Sequence, residues 1–397
     1  MFITRCITIS VILIGVASTP LSAAAPLRSL QVQFYDQSIV LDYQEGLAYP
    51  HEVRIEELAL RRLFRQFERR PYVAFLESVQ EKARSLDLND WLYAELLNEA
   101  LAKLYRQDRQ SPEVTYATYF MLAKSGFDVR LTYREKQIYV NVYTEDVIYE
   151  IPVIEENGRK YANISDGGRT SSPGRSMYLL DQQPNPNGRA FGFQINRWPL
   201  ILTETKGRNI AFQFRGHTYE IPVQYQAGRA RLLERYPLVS ESWYLDAPLS
   251  PELHQTLVPQ LRRLMQGQDL QTSLELLVAF TRSGFVYQDD KQAFGTNKPM
   301  VSDELFYYPY SDCEDRCALF YALVKVLLDV PMIVIAYDDH LTVAVAAPGI
   351  RGDTVKYDGK SFVFCDPTGP QASAEIGRIP QGYEERSFEV IGYFPGS

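Results

Sequence analysis

The chain has 397 residues, 46% of them hydrophobic and 23% charged, and it carries a formal net charge of −8. This length accommodates two or three domains that each bury a core, and the composition excludes a largely disordered chain. The negative charge argues against a nucleic-acid partner, because binding to phosphates needs a basic surface.

The first 24 residues have the layout of a secretory signal peptide. Arg5 precedes an apolar stretch over residues 6–17, and small residues follow up to Ala25. The stretch is too short to cross a bilayer, and no later segment reaches the roughly 20 apolar residues that a spanning helix needs. We therefore expect an exported protein, periplasmic or secreted, with no membrane span.

Removal of the signal peptide would leave three cysteines, Cys313, Cys317 and Cys365. Because three is an odd number, at least one thiol stays unpaired, and the chain is not a disulfide scaffold. Two interpretations of Cys317 and Cys365 remain open: a disulfide between them, or two ordinary core residues.

Residues 25–165 are predicted to form an α+β N-terminal domain. Between residues 50 and 125, apolar positions recur at three- and four-residue spacing, which is typical of amphipathic helices. From residue 128 onwards, apolar and polar residues alternate, and Asn157-Gly158 is a strong hairpin signal. The pattern therefore places helices before strands in this domain.

Residues 166–243 are predicted to be a loop followed by a small antiparallel β region. Gly, Pro, Ser and Asn dominate residues 166–190, which favours a long loop or linker. Short strand-like runs follow at 191–195, 209–215 and 218–223.

Residues 244–397 are predicted to form a second α+β domain, in which a helix packs on an antiparallel sheet. Amphipathic helices are predicted at 251–265 and 271–283, and a further helix at 312–328. Four strand-like runs follow that helix, at 332–337, 341–346, 353–357 and 361–365.

The two halves of the chain show a similar succession of elements. In each half a helix leads to strands, then to a hairpin signal, Asn157-Gly158 or Asp358-Gly359, and then to an aspartate, Asp166 or Asp366. The first half has no cysteine and no histidine at the corresponding places. The N-terminal domain is therefore either a degenerate copy of the C-terminal fold or an unrelated helix-plus-meander of similar appearance.

The sharpest local signal surrounds Cys313. Ser311 followed by Glu314 is a capping box, so we predict that a helix begins at Ser311 or Asp312 and places Cys313 in its first turn. A helix N-terminus favours the thiolate form of a cysteine, but Glu314 and Asp315 act in the opposite direction. A neighbouring imidazolium would be needed to activate this thiol.

His340 and Asp366 are the candidate partners of Cys313. His340 directly precedes the predicted strand at 341–346, downstream of the cysteine helix, and Asp366 follows the last predicted strand. A carboxylate can hold the second N–H of an imidazole and fix its tautomer and orientation. The structural alternatives are a buried core cysteine, an ordinary strand histidine and a turn aspartate.

This order of residues resembles the transglutaminase-like superfamily, which has the papain-like cysteine-enzyme fold. The segment Ser-Asp-Cys-Glu-Asp-Arg around Cys313, the histidine before an Ala-Val strand and the segment Cys-Asp-Pro-Thr-Gly around Asp366 are similar to exported bacterial members. The resemblance covers about residues 245–395 and implies Cys313 as nucleophile, His340 as base and Asp366 as its orienting acid. It also suggests Tyr310 as an oxyanion or groove residue.

The sequence departs from the family pattern at two places near the site. Ser311 stands where a glycine often precedes Asp-Cys, and Leu341-Thr342 replace the aromatic residue that often follows the histidine. Both departures affect the expected substrate groove rather than the three catalytic groups.

The resemblance implies an exported cysteine-dependent acyl-transfer enzyme acting on a protein or peptide. A peptidase or amidase is the preferred interpretation, and we expect no cofactor and no metal. The alternatives are transglutaminase-type transfer to an amine and a non-catalytic envelope module for binding or assembly. Zinc binding by Cys313, Cys317 and His340 is a further alternative, although it provides no fourth ligand.

Overall fold

The computed structural model describes residues 26–48, 52–165, 177–347, 349–369 and 376–396. The predicted signal peptide and residues 166–176 of the predicted loop lie outside these ranges. Within them, no helix has the length and apolar character required to cross a membrane. The fold is α+β with predominantly antiparallel sheets, which confirms the predicted fold class at this level.

The first half consists of a hairpin, four helices and a five-stranded sheet. Its helices are α1 (Glu57–Glu68), α2 (Val73–Ser85), α3 (Asp90–Tyr105) and α4 (Pro112–Lys124). Its strands are β1 (Leu27–Phe34), β2 (Gln37–Gln44), β3 (Val129–Arg134), β4 (Gln137–Tyr143), β5 (Ile148–Tyr149), β6 (Val153–Glu156), β7 (Arg159–Asn163) and β8 (Tyr178–Leu179).

The second half also consists of a hairpin, helices and a five-stranded sheet, and more of its helices are short. Its strands are β9 (Thr205–Phe214), β10 (His217–Gln226), β11 (Leu238–Val239), β12 (Val286–Tyr287), β13 (Tyr310–Ser311), β14 (Met332–Tyr337), β15 (His340–Val345), β16 (Thr354–Tyr357), β17 (Lys360–Phe364) and β18 (Glu389–Phe394). Its helices are α5 (Ala227–Leu233), α6 (Glu241–Asp246), α7 (Pro251–Thr256), α8 (Val258–Met265), α9 (Leu270–Ser283), α10 (Asp290–Ala293), α11 (Ser302–Tyr307) and α12 (Cys313–Leu327).

The two five-stranded sheets have the same strand order. The first is β6-β7-β4-β3-β8 and the second is β16-β17-β15-β14-β18. In each half the preceding long helix packs on the central hairpin, α4 on β4 and α12 on β15. This shared topology supports the interpretation of the N-terminal domain as a copy of the C-terminal fold.

The outer hairpins of both sheets turn where the sequence predicts. Asn157 and Gly158 between β6 and β7 have φ of 53° and 75°, and Asp358 and Gly359 between β16 and β17 have φ of 45° and 72°. Positive φ at both central residues is the conformation of the tight turns that Asn-Gly and Asp-Gly favour, which confirms both hairpin predictions.

Helix boundaries follow local capping. Ser111 caps α4 by accepting a hydrogen bond from the Val114 N–H, with Pro112 as the first helical residue. The single helix predicted at 251–265 is wrong, because α7 ends at Thr256 and α8 begins at Val258. Pro259 in the first turn of α8 has no N–H to continue the ladder from α7.

The hairpin β9–β10 packs in the core of the second half rather than forming a separate unit. Its inward residues Ile210, Phe212, Ile221 and Val223 join the cluster that contains α9 and α12. The segment predicted as a strand at 191–195 is irregular instead, and its apolar side chains lie in the first core.

Strand β14 is buried on both faces. Met332 and Val334 face the main core of the second half, whereas Ile333 and Ile335 belong to a smaller cluster on the opposite face. A strand covered on both sides has a continuous apolar sequence, which is what this strand has. The sheet that carries His340 is therefore a rigid central layer.

A buried ion pair fastens the connection that precedes the cysteine helix. Arg229 Nη1 on α5 is 2.9 Å from Asp303 Oδ2 on α11, and the same carboxylate accepts hydrogen bonds from the N–H groups of Gln226 and Ser250. Burial raises the pKa of the Asp303 carboxyl, and the Arg229 charge acts against that rise. The buried charges of Arg229 and Asp303 therefore stabilise each other.

Substitution of Asp303 by alanine should lower the free energy of unfolding by about 3–5 kcal/mol, because it leaves the Arg229 guanidinium buried without its partner. Urea denaturation monitored by circular dichroism measures the change. The control is Asp246→Ala, which removes an exposed partner of Lys325 and should cost less than about 1 kcal/mol. Equal losses in the two variants would contradict the prediction.

Candidate active site

Helix α12 places Cys313 as its first residue. Asp312 is the N-cap, with its Oδ1 accepting from the Glu314 N–H at 3.1 Å, and Asp315 Oδ2 accepts from the Asp312 N–H at 3.0 Å. The capping box is therefore Asp312–Asp315, and the predicted Ser311–Glu314 box is wrong. Ser311 is the last residue of β13, where its hydroxyl is buried and accepts from Arg316.

The start of α12 is held by the buried side chain of Arg316. Its Nη1 donates to the Thr368 carbonyl at 2.9 Å, and its Nη2 donates to the Phe285 carbonyl at 2.7 Å. These two bonds join the cysteine helix to the end of α9 and to the segment just after Asp366. Three elements distant in sequence are thus fixed around Cys313.

The structure brings His340 and Asp366 together, as the sequence predicts. His340 begins β15, and its Nε2 lies 3.6 Å from Asp366 Oδ2 and 3.4 Å from the Thr368 hydroxyl. Asp366 Oδ1 accepts hydrogen bonds from the Thr368 hydroxyl at 2.6 Å and from its N–H at 2.9 Å. Arg282 donates to the Asp366 carbonyl from the other side.

These neighbours keep the buried Asp366 carboxylate ionised. Burial raises the pKa of the Asp366 carboxyl, but the contacts with His340 and Thr368 and the charge of Arg282 outweigh that effect. The net result is a pKa below the ordinary value for aspartate. An anion therefore faces Nε2 of the imidazole.

Cys313 lies beside the residue that follows His340. The backbone of Leu341 lowers the pKa of the Cys313 thiol and so favours its anionic form. Because Nε2 of His340 faces Asp366, Nδ1 is the ring nitrogen left for the thiol. Among the described residues, no direct hydrogen bond joins Cys313 to the His340 ring.

The pKa of the Cys313 thiol is raised to about 12, first by burial and then by the charges of Asp312, Glu314 and Asp315. The helix N-terminus lowers the pKa of this thiol, whereas the acidic neighbours and burial raise it. In the structure the acidic neighbours and burial outweigh the helix N-terminus. Without a protonated base beside it, this cysteine is a neutral thiol at neutral pH.

Tyr383 covers the imidazole of His340. The two ring centroids are 5.0 Å apart with planes inclined by 36°, and the Tyr383 hydroxyl donates to Asp339 at 3.0 Å. The Tyr383 ring comes from a segment that is distant in sequence. It covers the His340 ring, whereas the aromatic residue that was expected directly after His340 is missing. Sequence reasoning missed Tyr383, because no local pattern links it to the histidine.

Tyr310, the predicted oxyanion or groove residue, has no contact with Cys313 or His340 among the described hydrogen bonds and ring contacts. It lies on β13, paired in parallel with Val286 of β12, and is partly exposed. Together with Val286 and Tyr287 it forms an exposed apolar strip beside the start of α12. A groove role remains a prediction, and nothing in its position supports an oxyanion role.

Three buried carboxylates lie next to the cysteine helix. One oxygen each from Asp290, Asp312 and Asp315 falls within a span of 4.8 Å, and oxygen ligands of this kind suit calcium or magnesium. Asp290 Oδ2 accepts from the Lys298 N–H, whereas its buried Oδ1 has no hydrogen-bond partner among the residues that the structure describes. The sequence predicted no metal site. It gave no sign of Asp290, because only folding brings this residue next to Asp312 and Asp315.

The positions of the three cysteines decide between a disulfide, a zinc site and ordinary core residues. Cys313, Cys317 and Cys365 are all free, so the Cys317–Cys365 disulfide is absent. Cys317 is fully buried one turn beyond Cys313, and in the described part of the chain it does not gather with Cys313 and His340 as a metal site. Cys317 and Cys365 are core residues.

Comparison with known proteins identifies no relative. No family model matches the chain, and neither the curated proteins nor the solved structures contain a significant match. The function must therefore be argued from the geometry of the site itself.

Replacement of Asp366 by asparagine should lower stability at pH 7 by about 1–3 kcal/mol, because hydrogen bonds to a buried charge are lost. The folded pKa of Asp366 is below the unfolded value of about 3.9, so the stability from its ionised form is present above that value and lost as the pH falls through the folded pKa. The difference between wild type and variant should therefore shrink below about pH 4.

Urea denaturation of both proteins at several pH values between 7 and 3 measures this difference. The exposed Asp181, which lies near Arg61, provides the control, and Asp181→Asn should change stability little at any pH. A difference between wild type and Asp366→Asn that stays constant with pH would show that Asp366 is not an ionised partner.

Proposed function

We propose that this protein is an exported cysteine-dependent acyl-transfer enzyme that hydrolyses an amide bond through an acyl-enzyme on Cys313. One observation carries the proposal. Cys313 is the first residue of a helix, and His340 Nε2 faces Asp366 and Thr368, so that Nδ1 is the ring nitrogen with no hydrogen bond among the described residues. Nucleophile, base and orienting acid are the three parts of a catalytic triad.

The chemistry follows from this arrangement. As the Cys313 sulfur attacks a substrate carbonyl, His340 Nδ1 accepts the thiol proton, and the Asp366 carboxylate stabilises the resulting imidazolium at Nε2. The Cys313 N–H at the helix start donates to the developing oxyanion. His340 then returns the proton to the leaving amine, which departs and leaves a thioester. Attack by water releases the acid and restores the thiol.

The raised pKa of Cys313 favours proton transfer during attack over a preformed ion pair. A thiol with a pKa of about 12 holds its proton at neutral pH, and a general base that removes it in the transition state contributes about 10²–10⁴-fold. His340 is thus a general base as well as an acid.

A protein or peptide substrate fits the surroundings of Cys313. The exposed strip of Val286, Tyr287 and Tyr310 offers an apolar surface beside the nucleophile, and aromatic residues are enriched where proteins recognise partners. The Arg316 guanidinium lies 5.0 Å from the centre of the Tyr287 ring, so this strip contacts the helix that begins at Cys313.

Alkylation by iodoacetamide tests the role of His340. Cys313 should react between pH 6 and 8, and His340→Ala should lower the rate at least tenfold, because the general base is lost. Mass spectrometry locates the label. Cys317 and Cys365 serve as internal controls, since both are fully buried and should stay unlabelled in the native protein. Equal, slow labelling of Cys313 in both proteins would contradict the enzyme proposal.

A non-catalytic envelope module for binding or assembly is the second candidate. The raised thiol pKa and the absence of a described hydrogen bond between Cys313 and His340 favour it. In that case the alkylation experiment gives the equal, slow result, and Cys313→Ala leaves the biological role of the protein intact.

Partition of the acyl-enzyme separates hydrolysis from transfer. After acylation of Cys313 by an activated peptide ester, we expect the acid as the main product even at high concentrations of a primary amine, because no amine pocket is evident near the described site residues. Liquid chromatography with mass detection measures both products, with Cys313→Ala as the blank. An amine adduct that exceeds the acid would support a transferase.

A further inference from the structure

The segment that leads into β18 carries a tyrosine whose ring lies on the end of the hairpin β14–β15. Tyr337 and His340 are opposite each other in this hairpin, so their side chains stand on the same face of the sheet. The Tyr383 ring contacts both of them, with its centroid 4.8 Å from that of Tyr337 and 5.0 Å from that of His340. One aromatic ring therefore packs on the strand pair that carries the proposed base.

The hydrogen-bonding contacts of the His340 ring hold its plane only loosely. Nε2 is 3.6 Å from Asp366 Oδ2 and 3.4 Å from the Thr368 hydroxyl, and both distances exceed the range of about 2.7–3.2 Å that is usual for N–H···O hydrogen bonds. Both contacts are made at one atom, and the terminal torsion of a histidine side chain has broad energy minima. The tilt of the ring, which decides where Nδ1 is directed, needs a further restraint.

Stacking on Tyr383 provides this restraint. The planes of the two rings are inclined by 36°, an arrangement closer to offset stacking than to an edge contact. Rotation of the imidazole about its Cβ–Cγ bond would bring a ring edge against the face of the tyrosine. The contact therefore opposes the rotation that the bonds at Nε2 leave open.

The Tyr383 side chain is itself held by Asp339, the residue that precedes His340. The Tyr383 hydroxyl donates to Asp339 Oδ1 at 3.0 Å, and Arg386 Nη1 donates to the same oxygen at 2.7 Å. The Arg386 guanidinium also lies 4.4 Å from the centre of the Tyr383 ring. The position of the tyrosine is therefore set relative to the turn that leads into the histidine.

The backbone around Tyr383 is anchored to the same sheet. The Gly377 N–H donates to the Phe364 carbonyl at 2.8 Å, and the Ile379 N–H donates to Asp353 Oδ2 at 3.1 Å. Contacts with two strands of the sheet thus keep this segment beside the hairpin that carries His340.

The ring of Tyr383, and not its hydroxyl, meets the imidazole. Because the hydroxyl donates to Asp339, it has no proton to give to His340. An aromatic ring that contacts the base without exchanging a proton acts on the orientation of the base. Phenylalanine would keep this contact, whereas leucine would remove it.

We propose that Tyr383 is a positioning residue for His340, which it holds by ring stacking so that Nδ1 stays available to the Cys313 thiol. The proposal rests on the function proposed above. It assigns the orientation of the base to the segment before β18.

NMR of the full-length chain, labelled with ¹³C at Cε1 of its histidines, tests the contact itself. The chain has four histidines, and His340→Ala identifies the signal of His340. The ring current of an aromatic side chain displaces the signals of protons close to it. The His340 signal should therefore change position in Tyr383→Leu and stay near its wild-type position in Tyr383→Phe. The same position in all three proteins would overturn the proposal.

Alkylation of Cys313 by iodoacetamide tests whether the contact serves the base. Tyr383→Leu should lower the rate about five- to tenfold, because a misplaced base accepts the thiol proton less efficiently. Tyr383→Phe should stay close to the wild-type rate. Because Tyr383 acts through His340, the double variant Tyr383→Leu/His340→Ala should be no slower than His340→Ala alone.

Tyr357→Leu is the matched control. Tyr357 also packs its ring against a tyrosine, Tyr393, but it has no contact with His340 among the described ring contacts and hydrogen bonds, so both readouts should stay unchanged. Asp339→Ala removes the anchor and keeps the ring, and it should give a smaller loss of rate than Tyr383→Leu. This variant covers a failure of Tyr383→Leu to fold.

The outcomes separate this proposal from the proposed function. A wild-type rate in Tyr383→Leu or in Asp339→Ala, or losses that add in the double variant, would overturn the role of Tyr383 while His340 still acts as the base. Equal alkylation of wild type and His340→Ala would contradict the function proposed for Cys313, and with it the positioning role.

Discussion

The buried guanidinium of Arg316 holds together the segments that make up the candidate site. It donates to the carbonyls of Phe285 and Thr368 and to the Ser311 hydroxyl, so the first turn of the cysteine helix is tied to the segment that follows Asp366. Bonds from a buried charge to carbonyl groups are costly to leave unmade, because the acceptors would lose both water and partner. The relative position of Cys313 and the His340–Asp366 pair depends on this contact.

The electrostatics of the site combine two opposed environments. On one side, buried Asp366 is kept ionised by Thr368, Arg282 and His340, which suits it to stabilise a positive imidazole. On the other side, burial and the carboxylates of Asp312 and Asp315 hold the Cys313 thiol in its neutral form. Such a pairing stabilises positive charge on the His340 ring more than negative charge on the Cys313 sulfur.

The two halves of the molecule share one topology. Each has a long helix packed on a central hairpin, with the same strand order around it. In the second half the long helix begins at Cys313, the matching strand begins at His340 and Asp366 follows the neighbouring strand. In the first half the long helix begins at Pro112 and the matching strand begins at Gln137, and a cavity of about 390 Å³ lies beside them.

The sequence by itself predicted a helix with Cys313 in its first turn, a strand directly after His340 and both outer hairpins, although the capping box that forms is Asp312–Asp315 and not the predicted one. These features depend on neighbours within a few residues, through capping, alternation and turn conformation. The order of residue types in the sequence also predicted the contact between His340 and Asp366. Only the tertiary structure decided that Tyr383 covers His340, that Asp290 joins Asp312 and Asp315, and that the hairpin β9–β10 belongs to the second core. Those contacts join residues far apart in the chain, and their burial, which also sets the pKa of Cys313, arises from packing that no local pattern encodes.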